Sequence, residues 1–307
     1  MILKQKLLHI FGLLAVGLMI GVSLAACSNS TSSPKSQQKI HVVSSVDFYG
    51  EAAKRVLGDK GTVTSVINKP SIDPHEYQPT SGVSKEVSQA DVIIYNGIGY
   101  DTWMSKLAKN NKSATVVRVG EDVMNKKTGD NPHLWYNTQT MPKLVKYLVK
   151  KFSKLQPKNK AYFQKNAQAY LKQLKRISAK VQALSKNSHQ QLVDVSEPVF
   201  DYALSELGYR ENNTDFAASV EKGIDPSPKD IRQMQTDIKE HKIAFFVQNT
   251  QATDKTVASL VKLAKQYNVP VLSVTETMPK GKDFVQWMLG QYQQLSKIQQ
   301  QSKSSTK

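Results

Sequence analysis

The stretch KNKAYFQKNAQAYLKQLKRISAKVQALSK, residues 158–186, decides how this chain of 307 residues is organised. It contains neither glycine nor proline, and its apolar residues return every three or four positions from Tyr162 to Leu184. That period predicts an α-helix with one buried stripe, and at about 1.5 Å per residue the helix is roughly as long as a domain is wide. We therefore expect a rigid helix that runs between two lobes and packs its stripe against them.

Short apolar runs alternate with longer amphipathic stretches before that helix. The expected strands are 40–44, 63–67, 92–95 and 114–119, and the expected helices are 49–57, 84–89 and 103–108. Strands separated by helices predict a parallel sheet covered on both faces. This gives an N-terminal lobe over 39–140, followed by linker helices over 141–187 that Pro142 opens and Pro157 interrupts.

The same alternation resumes after the long helix. The expected strands are 192–195, 243–247 and 269–274, and the expected helices are 198–207, a helix from Pro228, 253–267 and 283–298. They predict a C-terminal lobe over 188–300 and a frayed polar tail over 301–307. The fold class is therefore α/β, with two Rossmann-like lobes that contain parallel sheets and are joined by one long backbone helix.

The amino terminus has the layout of an export signal. Residues 1–6 carry two lysines and no acid, residues 7–26 are almost entirely apolar, and Leu24-Ala25-Ala26 precede Cys27, the one cysteine of the chain. This predicts a signal peptide over 1–26 and a flexible, serine-rich tether over 27–38. An uncleaved transmembrane anchor is the alternative, because about 20 apolar residues suffice to cross a bilayer. Either way the rest of the chain lies outside the cytoplasm.

The composition is strongly basic, with 42 lysines and arginines against 25 acids and a net charge of +17. The cation-rich stretch from Lys143 to Lys165 is typical of solvated helix faces. A basic protein beside an anionic membrane explains the excess more simply than nucleic-acid binding does, so we expect no nucleic-acid partner. A single cysteine excludes an intrachain disulfide and a cysteine-based zinc finger.

Four residues combine the chemistry and the position of metal ligands. His75 and His133 each follow a proline in a turn-rich loop, and Glu197 and Glu276 each follow a predicted strand of the second lobe. Loops at the ends of strands are where α/β folds bind ligands. Two neutral imidazoles and two carboxylates complete a four-ligand shell whose charge balances a divalent cation. From the residues alone, the alternatives of an ordinary turn for each histidine and a helix cap for each acid stay open.

Three motifs together resemble a known family. They are DPHEYQPT at 73–80, ADVIIYNGIGYDTW at 90–103 and NPHLW at 131–135. They look like the metal-binding solute receptors of ABC importers, the zinc, manganese and iron lipoproteins sometimes called metal-binding adhesins. The residues before Cys27 resemble the lipobox of such lipoproteins, and the resemblance covers essentially the whole mature chain.

The resemblance implies a metal ion held between the lobes by His75 and His133 from the first lobe and Glu197 and Glu276 from the second. Most relatives have aspartate at the last of these positions, which leaves Asp201 and Asp283 as weaker substitutes. It also implies removal of 1–26 and lipidation of Cys27. The resemblance implies zinc or manganese, with iron as a third candidate: two carboxylates suit manganese or ferrous iron, whereas zinc has the higher intrinsic affinity.

The function implied by the resemblance is capture of that ion at the extracellular face of the cell membrane and its delivery to an ABC permease with its ATPase subunit. The protein is then a lipid-anchored monomer and not an enzyme. A surface adhesin and a metallohydrolase are the alternatives, although the chain has no His-Glu-x-x-His signature. A receptor for an organic solute is a further rival, which a thermal-shift screen of metals against amino acids and sugars separates.

Overall fold

The computed structural model describes residues 39–305 except 73, 75, 76, 252 and 253. The first half of this region forms a four-stranded sheet in the order β2-β1-β3-β4, with every pair parallel. Its strands are β1 Ile40–Val46, β2 Gly61–Ile67, β3 Val92–Tyr95 and β4 Thr115–Arg118. In the register of the sheet, Val42 pairs with Val63 on one side and Val92 on the other. The central strands are almost wholly buried because helices cover both faces of a parallel sheet.

The second half repeats this architecture. Its sheet has the order β6-β5-β7-β8, again with every pair parallel. The strands are β5 Leu192–Val195, β6 Arg210–Glu211, β7 Phe246–Asn249 and β8 Val271–Val274. The predicted class, two parallel-sheet α/β lobes with one long helix, is confirmed. Sequence patterning missed β6 because a strand of two residues carries no alternation to detect.

Ten α-helices surround the sheets within the described residues. They are α1 Asp47–Leu57, α2 Ser81–Ser88, α3 Thr102–Ala108, α4 Thr140–Leu155, α5 Lys160–Ser185, α6 Asp201–Leu207, α7 Thr214–Glu221, α8 Pro228–Lys239, α9 Lys255–Gln266 and α10 Phe284–Ser305. Local chemistry sets several ends. Ser227 caps α8, since its hydroxyl accepts a hydrogen bond from the Asp230 amide at 3.2 Å. Gly208 ends α6 in a left-handed conformation with φ of 80°.

The long helix α5 buries the predicted stripe. Its fully or nearly buried residues are Phe163, Ala167, Tyr170, Leu174, Ile177, Val181 and Leu184. They pack against α1 of the first lobe, the linker helix α4, and α6 and α10 of the second lobe. Phe152 of α4 lies with its ring centroid 6.0 Å from that of Phe163. Each large side chain buried in this way stabilises the fold by about 1.5–3 kcal/mol before entropy is counted.

The two lobes share one apolar core. Tyr136 of the first lobe lies with its ring centroid 5.0 Å from that of Phe200 and 6.1 Å from that of Trp287. The centroid of the Trp287 ring in turn lies 5.6 Å from that of Phe48 in the first lobe. Residues 39–307 accordingly form a single compact unit. A core that runs through both lobes favours small rocking motions over wide hinge opening.

One helix was missed by the sequence pattern, and the end of another was placed too early. Helix α7 was not predicted, since the pattern after Gly208 is short and irregular. Helix α10 continues to Ser305, whereas the sequence placed its end at Ile298 and expected the residues from 301 to fray. The cause is that 299–305 contain neither glycine nor proline, so nothing local stops the helix.

The predicted signal peptide, the tether and Cys27 lie outside the described residues. Within the described part of the chain, no helix has both the length and the hydropathy needed to cross a bilayer.

Candidate metal centre

The described ligand candidates, His133, Glu197 and Glu276, lie in segments that follow parallel strands of the two lobes. The loop containing His75 follows β2, His133 lies between β4 and α4, Glu197 follows β5 directly, and Glu276 follows β8. Ligands of open α/β sheets bind at these strand ends. Loops from the two lobes touch there, since the Thr277 hydroxyl donates to the Pro70 carbonyl oxygen at 3.3 Å.

His75 itself lies outside the described residues, but both flanks of its loop are held. The indole N–H of Trp103 in α3 donates to the Pro74 carbonyl oxygen at 3.2 Å. On the other flank, the centroid of the Tyr77 ring lies 4.7 Å from the centroid of the Trp103 ring. Trp103 therefore fixes the loop on both sides of His75.

His133 is almost completely buried, with 1% of its surface exposed, and Asn131 holds it. The Asn131 Oδ1 atom lies 2.9 Å from the His133 backbone nitrogen and 2.9 Å from its ring Nδ1. The Asn131 amide group donates to the Pro198 carbonyl oxygen at 2.7 Å and to Asp201 Oδ2 at 3.1 Å, which establishes Oδ1 as the acceptor. The proton of the neutral imidazole therefore lies on Nδ1, and Nε2 carries the lone pair that a metal ion needs.

A carboxylate adds to this arrangement from the second lobe. Glu221 Oε1, near the end of α7, lies 3.8 Å from His133 Nδ1. A carboxylate beside the Nδ1 proton raises the basicity of the ring and strengthens it as a metal ligand.

The Asn-Gly segment after β3 supports the His133 loop. The Asn96 amide group donates to the Pro132 carbonyl oxygen at 3.0 Å, and Asn96 Oδ1 accepts from the Tyr49 hydroxyl at 2.6 Å. Asp101 closes the turn, because its carboxylate accepts from the backbone N–H groups of Asn96 and Gly97 at 2.7 and 2.9 Å. Burial raises the pKa of Asp101, while these hydrogen bonds act in the opposite direction.

Tyr100 connects His133 with Glu276 of the other lobe. The centroid of the Tyr100 ring lies 6.4 Å from the centroid of the His133 ring, and the two rings are edge-on to each other. Only 1% of the Tyr100 surface is exposed. Burial raises the pKa of the Tyr100 phenol well above its usual range, and the charge of the nearby Glu276 carboxylate raises it further. The phenol therefore stays protonated beside the Glu276 carboxylate. His133 and Glu276 thus approach the same tyrosine from opposite lobes.

Glu197 and Glu276 are each held by the end of β7. The Asn249 amide group donates to Glu197 Oε2 at 2.6 Å, and Asn249 is itself fixed by the Ser196 hydroxyl, which accepts from its backbone N–H at 2.8 Å. Gln251 Oε1 accepts from the Glu276 backbone N–H at 2.7 Å. The Gln251 amide group also donates to the Pro70 carbonyl oxygen in the loop that leads to His75.

The two substitute acids have other partners. Asp283 accepts from the Arg55 guanidinium at 3.3 Å and caps α10 through the Gln286 amide. Asp201 holds Asn131, and burial raises the pKa of Asp201 to about 6 and that of its neighbour Glu211 to about 8. Both acids thus have protein partners in this structure.

Assembly of the four predicted ligands stays a prediction. Among residues 39–305, with 73, 75, 76, 252 and 253 set aside, no group of three or more His, Cys, Asp or Glu side chains is close enough to hold a metal ion. His75 is one of the residues set aside. Sequence reasoning also missed Asn249 and Gln251, whose isolated amides carry no motif, whereas Asn96, Tyr100 and Asn131 lie inside the quoted motifs.

The fold and this site define a two-lobed α/β binding protein built on a backbone helix, and solved structures share that fold. The periplasmic zinc-binding protein TroA from Treponema pallidum superposes with a TM-score of 0.71 at 20% identity, over 85% of this chain and 99% of that one. The substrate-binding protein FpvC from Pseudomonas aeruginosa, solved with Mn²⁺, gives a TM-score of 0.72 at 20% identity, over 86% and 100% of the two chains.

The chain belongs to the ZnuA family, described as zinc-uptake complex component A, periplasmic, whose model matches residues 42–298. Two curated relatives illustrate the family. The metal ABC transporter substrate-binding lipoprotein FimA of Streptococcus parasanguinis is 31% identical over 84% of this chain and 85% of its own. The manganese ABC transporter substrate-binding lipoprotein PsaA of Streptococcus pneumoniae is 27% identical over 85% and 86%.

Proposed function

We propose that this chain is the substrate-binding component of an ABC importer for a divalent transition metal, zinc or manganese. The observation that carries the proposal is the cross-lobe arrangement of His133, Tyr100 and Glu276 at the strand ends of both sheets. The family match over residues 42–298 and relatives named for metal ABC transport support it. The family is one of substrate-binding receptors, which does not favour the adhesin or metallohydrolase alternatives.

In this proposal His75, His133, Glu197 and Glu276 bind the ion. The two neutral imidazoles and two carboxylates leave the occupied site without net charge, which lowers the cost of burying a divalent ion between the lobes. Acid weakens binding, because a protonated imidazole cannot bind the metal. Two oxygen ligands accommodate manganese, and the nitrogen ligands accommodate zinc.

Release follows from the same geometry. Each lobe supplies two ligands, so a small movement of one lobe against the other separates His133 from Glu276 and opens the shell. Docking on the permease supplies that movement, and the shared core around Tyr136 and Trp287 keeps it small. Delivery to a permease driven by a cytoplasmic ATPase is the remaining part of the cycle.

The location follows from the amino terminus. We propose that residues 1–26 are removed, that Cys27 receives the lipid, and that the protein works as a monomer at the extracellular face of the cell membrane. Mass spectrometry of the mature protein tests this, with a lipid-modified Cys27 as the first residue expected. A mature protein that retains residues 1–26 would contradict it.

The central experiment is metal titration of the purified mature chain by calorimetry, with Mn²⁺ and Zn²⁺ measured separately. One ion per chain is expected, with greatly weakened binding in the His75→Ala and Glu197→Ala variants. The exposed His189, replaced by Asn because its φ is 51°, is the matched control and retains native affinity. Stoichiometric, tight binding by His75→Ala and Glu197→Ala would refute the site.

A further inference from the structure

The positive charge of this chain is concentrated in one segment, residues 140–187, which we call the connector. It comprises α4, α5 and the residues next to them. The connector contains twelve lysines, one arginine and no aspartate or glutamate, a charge of +13. By contrast, residues 39–139 carry twelve cations and eleven acids, and residues 188–307 carry fourteen of each. Both lobes are therefore close to neutral, and most of the net charge of +17 lies in the connector.

The connector cations face solvent. Eleven of the thirteen are exposed, and the other two, Lys151 and Lys180, are half-buried. At 100° per residue, Lys165, Lys172 and Arg176 of α5 point away from its buried stripe. Lys143, Lys146 and Lys150 of α4 likewise lie on the side opposite its buried residues Leu144 and Leu148. The two adjacent helices thus present basic faces about 24 and 39 Å long, at about 1.5 Å per residue.

Salt bridges do not neutralise these faces in the described part of the chain, although the charge of the half-buried Lys151 helps to lower the pKa of Asp122. None of the thirteen cations forms a salt bridge to a described carboxylate. A solvated helix is stabilised when acids and bases alternate at spacings of three and four residues. In the connector, like charges stand four residues apart instead, as in the pairs Lys172 with Arg176 and Lys146 with Lys150. Like charges at this spacing destabilise a helix by about 0.2–0.5 kcal/mol per pair, and an anionic surface relieves that repulsion.

We propose that the solvent face of the connector is a docking surface for the anionic headgroups of the bilayer that carries the protein. The inference rests on the membrane anchoring proposed above. Residues 27–38 between Cys27 and the first strand span at most about 40 Å at 3.3–3.6 Å per residue, so the anchored body never leaves the neighbourhood of the headgroups. Charge complementarity then selects the connector, because the two lobes have almost no net charge to contribute.

The consequence is a resting orientation for the protein between docking events. With the connector on the bilayer, the neutral lobes and the metal site project from the connector rather than lie on the lipid. Contact is local, since the Debye length is about 8 Å at physiological ionic strength. Binding is therefore weak and reversible, as capture and delivery of an ion require.

The test is co-sedimentation of the chain from residue 28, which contains the compact unit 39–307 and lacks the lipid, with vesicles. The vesicles are phosphatidylcholine with or without phosphatidylglycerol. The native chain is expected to bind the anionic vesicles at least about tenfold more strongly than the neutral ones, and to lose this binding near 1 M salt, where the Debye length is about 3 Å.

A matched pair of variants distinguishes an effect of the connector surface from an effect of the net charge of the whole chain. The connector variant replaces Lys165, Lys172, Lys175 and Arg176 by Gln, and the control replaces the exposed Lys229, Lys239, Lys262 and Lys265 of the second lobe by Gln. Both lower the net charge by four. The connector variant is expected to lose about tenfold or more in vesicle binding, and the control less than about twofold.

Three outcomes would overturn the proposal: no binding of the native chain to anionic vesicles, equal losses in both variants, or binding to soluble polyphosphate without binding to vesicles. Metal titration of both variants keeps this result separate from the transport proposal. Unchanged metal affinity is expected in each, because every substituted residue is exposed and none is a proposed metal ligand. Failure of metal binding in the native chain would instead refute the proposed function.

Discussion

Asn131 Oδ1 lies 2.9 Å from His133 Nδ1, and the Asn131 amide group donates to the Pro198 carbonyl oxygen of the other lobe at 2.7 Å. One asparagine therefore sets the tautomer of a predicted metal ligand and joins the two lobes beside it. The relationship explains in physical terms why an asparagine two residues before the histidine belongs to the motif.

Replacement of Asn131 by Ala is expected to lower metal affinity about 10–100-fold, the usual cost of removing an outer-shell partner of a ligating histidine. The His133 ring loses the acceptor for its Nδ1 proton and the loop loses its link to Pro198. Calorimetric titration with Mn²⁺ and Zn²⁺ measures the change. The exposed Asn110→Ala is the control, and native affinity in Asn131→Ala would contradict the assigned role.

Replacement of Glu276 by Gln is expected to lower metal affinity by on the order of 100-fold or more, beyond the range of outer-shell changes, because the side chain is a proposed ligand. The same change removes the charge beside Tyr100 and so lowers the pKa of that phenol. Calorimetry measures the first effect and ultraviolet titration of tyrosine the second. Glu240→Gln, at an exposed acid paired with Lys242, is expected to leave both unchanged. A lowered phenol pKa with native metal affinity would show that Glu276 approaches Tyr100 without binding the ion.

Replacement of Gly97 by Ala is expected to destabilise the protein by about 1–3 kcal/mol. Gly97 has φ of +78°, and an added Cβ would collide with the Glu121 carboxylate, which accepts from the Ile98 backbone N–H. Chemical denaturation measures the loss. The control is Gly82→Ala in α2, where the nearest atom to an added Cβ is 3.6 Å away and a gain of up to about 1 kcal/mol is expected. Equal effects of the two substitutions would refute the explanation.

Stability of the metal-free protein is expected to fall as the pH rises from about 5 to about 8. Burial raises the pKa of Asp201 to about 6, of Asp194 to about 7 and of Glu211 to about 8. In this window the folded state holds protons that the unfolded chain has released, so each rise in pH favours unfolding. Below the unfolded pKa values both states are protonated and this cost is absent.

The Glu211→Gln variant tests that cause, because Gln reproduces the neutral form beside Asp201. It is expected to be more stable than the native chain by at least about 1 kcal/mol at pH 8, the equivalent of one pKa unit, and to differ little at pH 4.5. Thermal unfolding across pH measures both. The exposed Glu240→Gln variant serves as the control, and a pH-independent effect of Glu211→Gln would contradict the assignment.

Much of the fold was predictable because its signals are local. The apolar stripe of α5, the short apolar strands and the Ser227 cap each arise from residues within a few positions of one another, and each was found. Strand β6 and helix α7 were missed because two or eight residues without a clear period give no local signal. The continuation of α10 beyond Ile298 was missed because polar composition was given more weight than the absence of a helix breaker.

The candidate site likewise combines features that the sequence reveals with features that depend on the packing of the lobes. The sequence by itself determined the class of ligand, two His-Pro loops and two acids after strands, because residue type and flanking backbone constraints are written in the chain. Only the tertiary structure decided that Asn131 orients His133, that Tyr100 joins His133 to Glu276, and that Asn249 and Gln251 hold the acids. These partners are separated by up to 176 positions between Tyr100 and Glu276, and they meet where loops of the two lobes contact each other. Such contacts depend on how lobes pack, which no local pattern specifies.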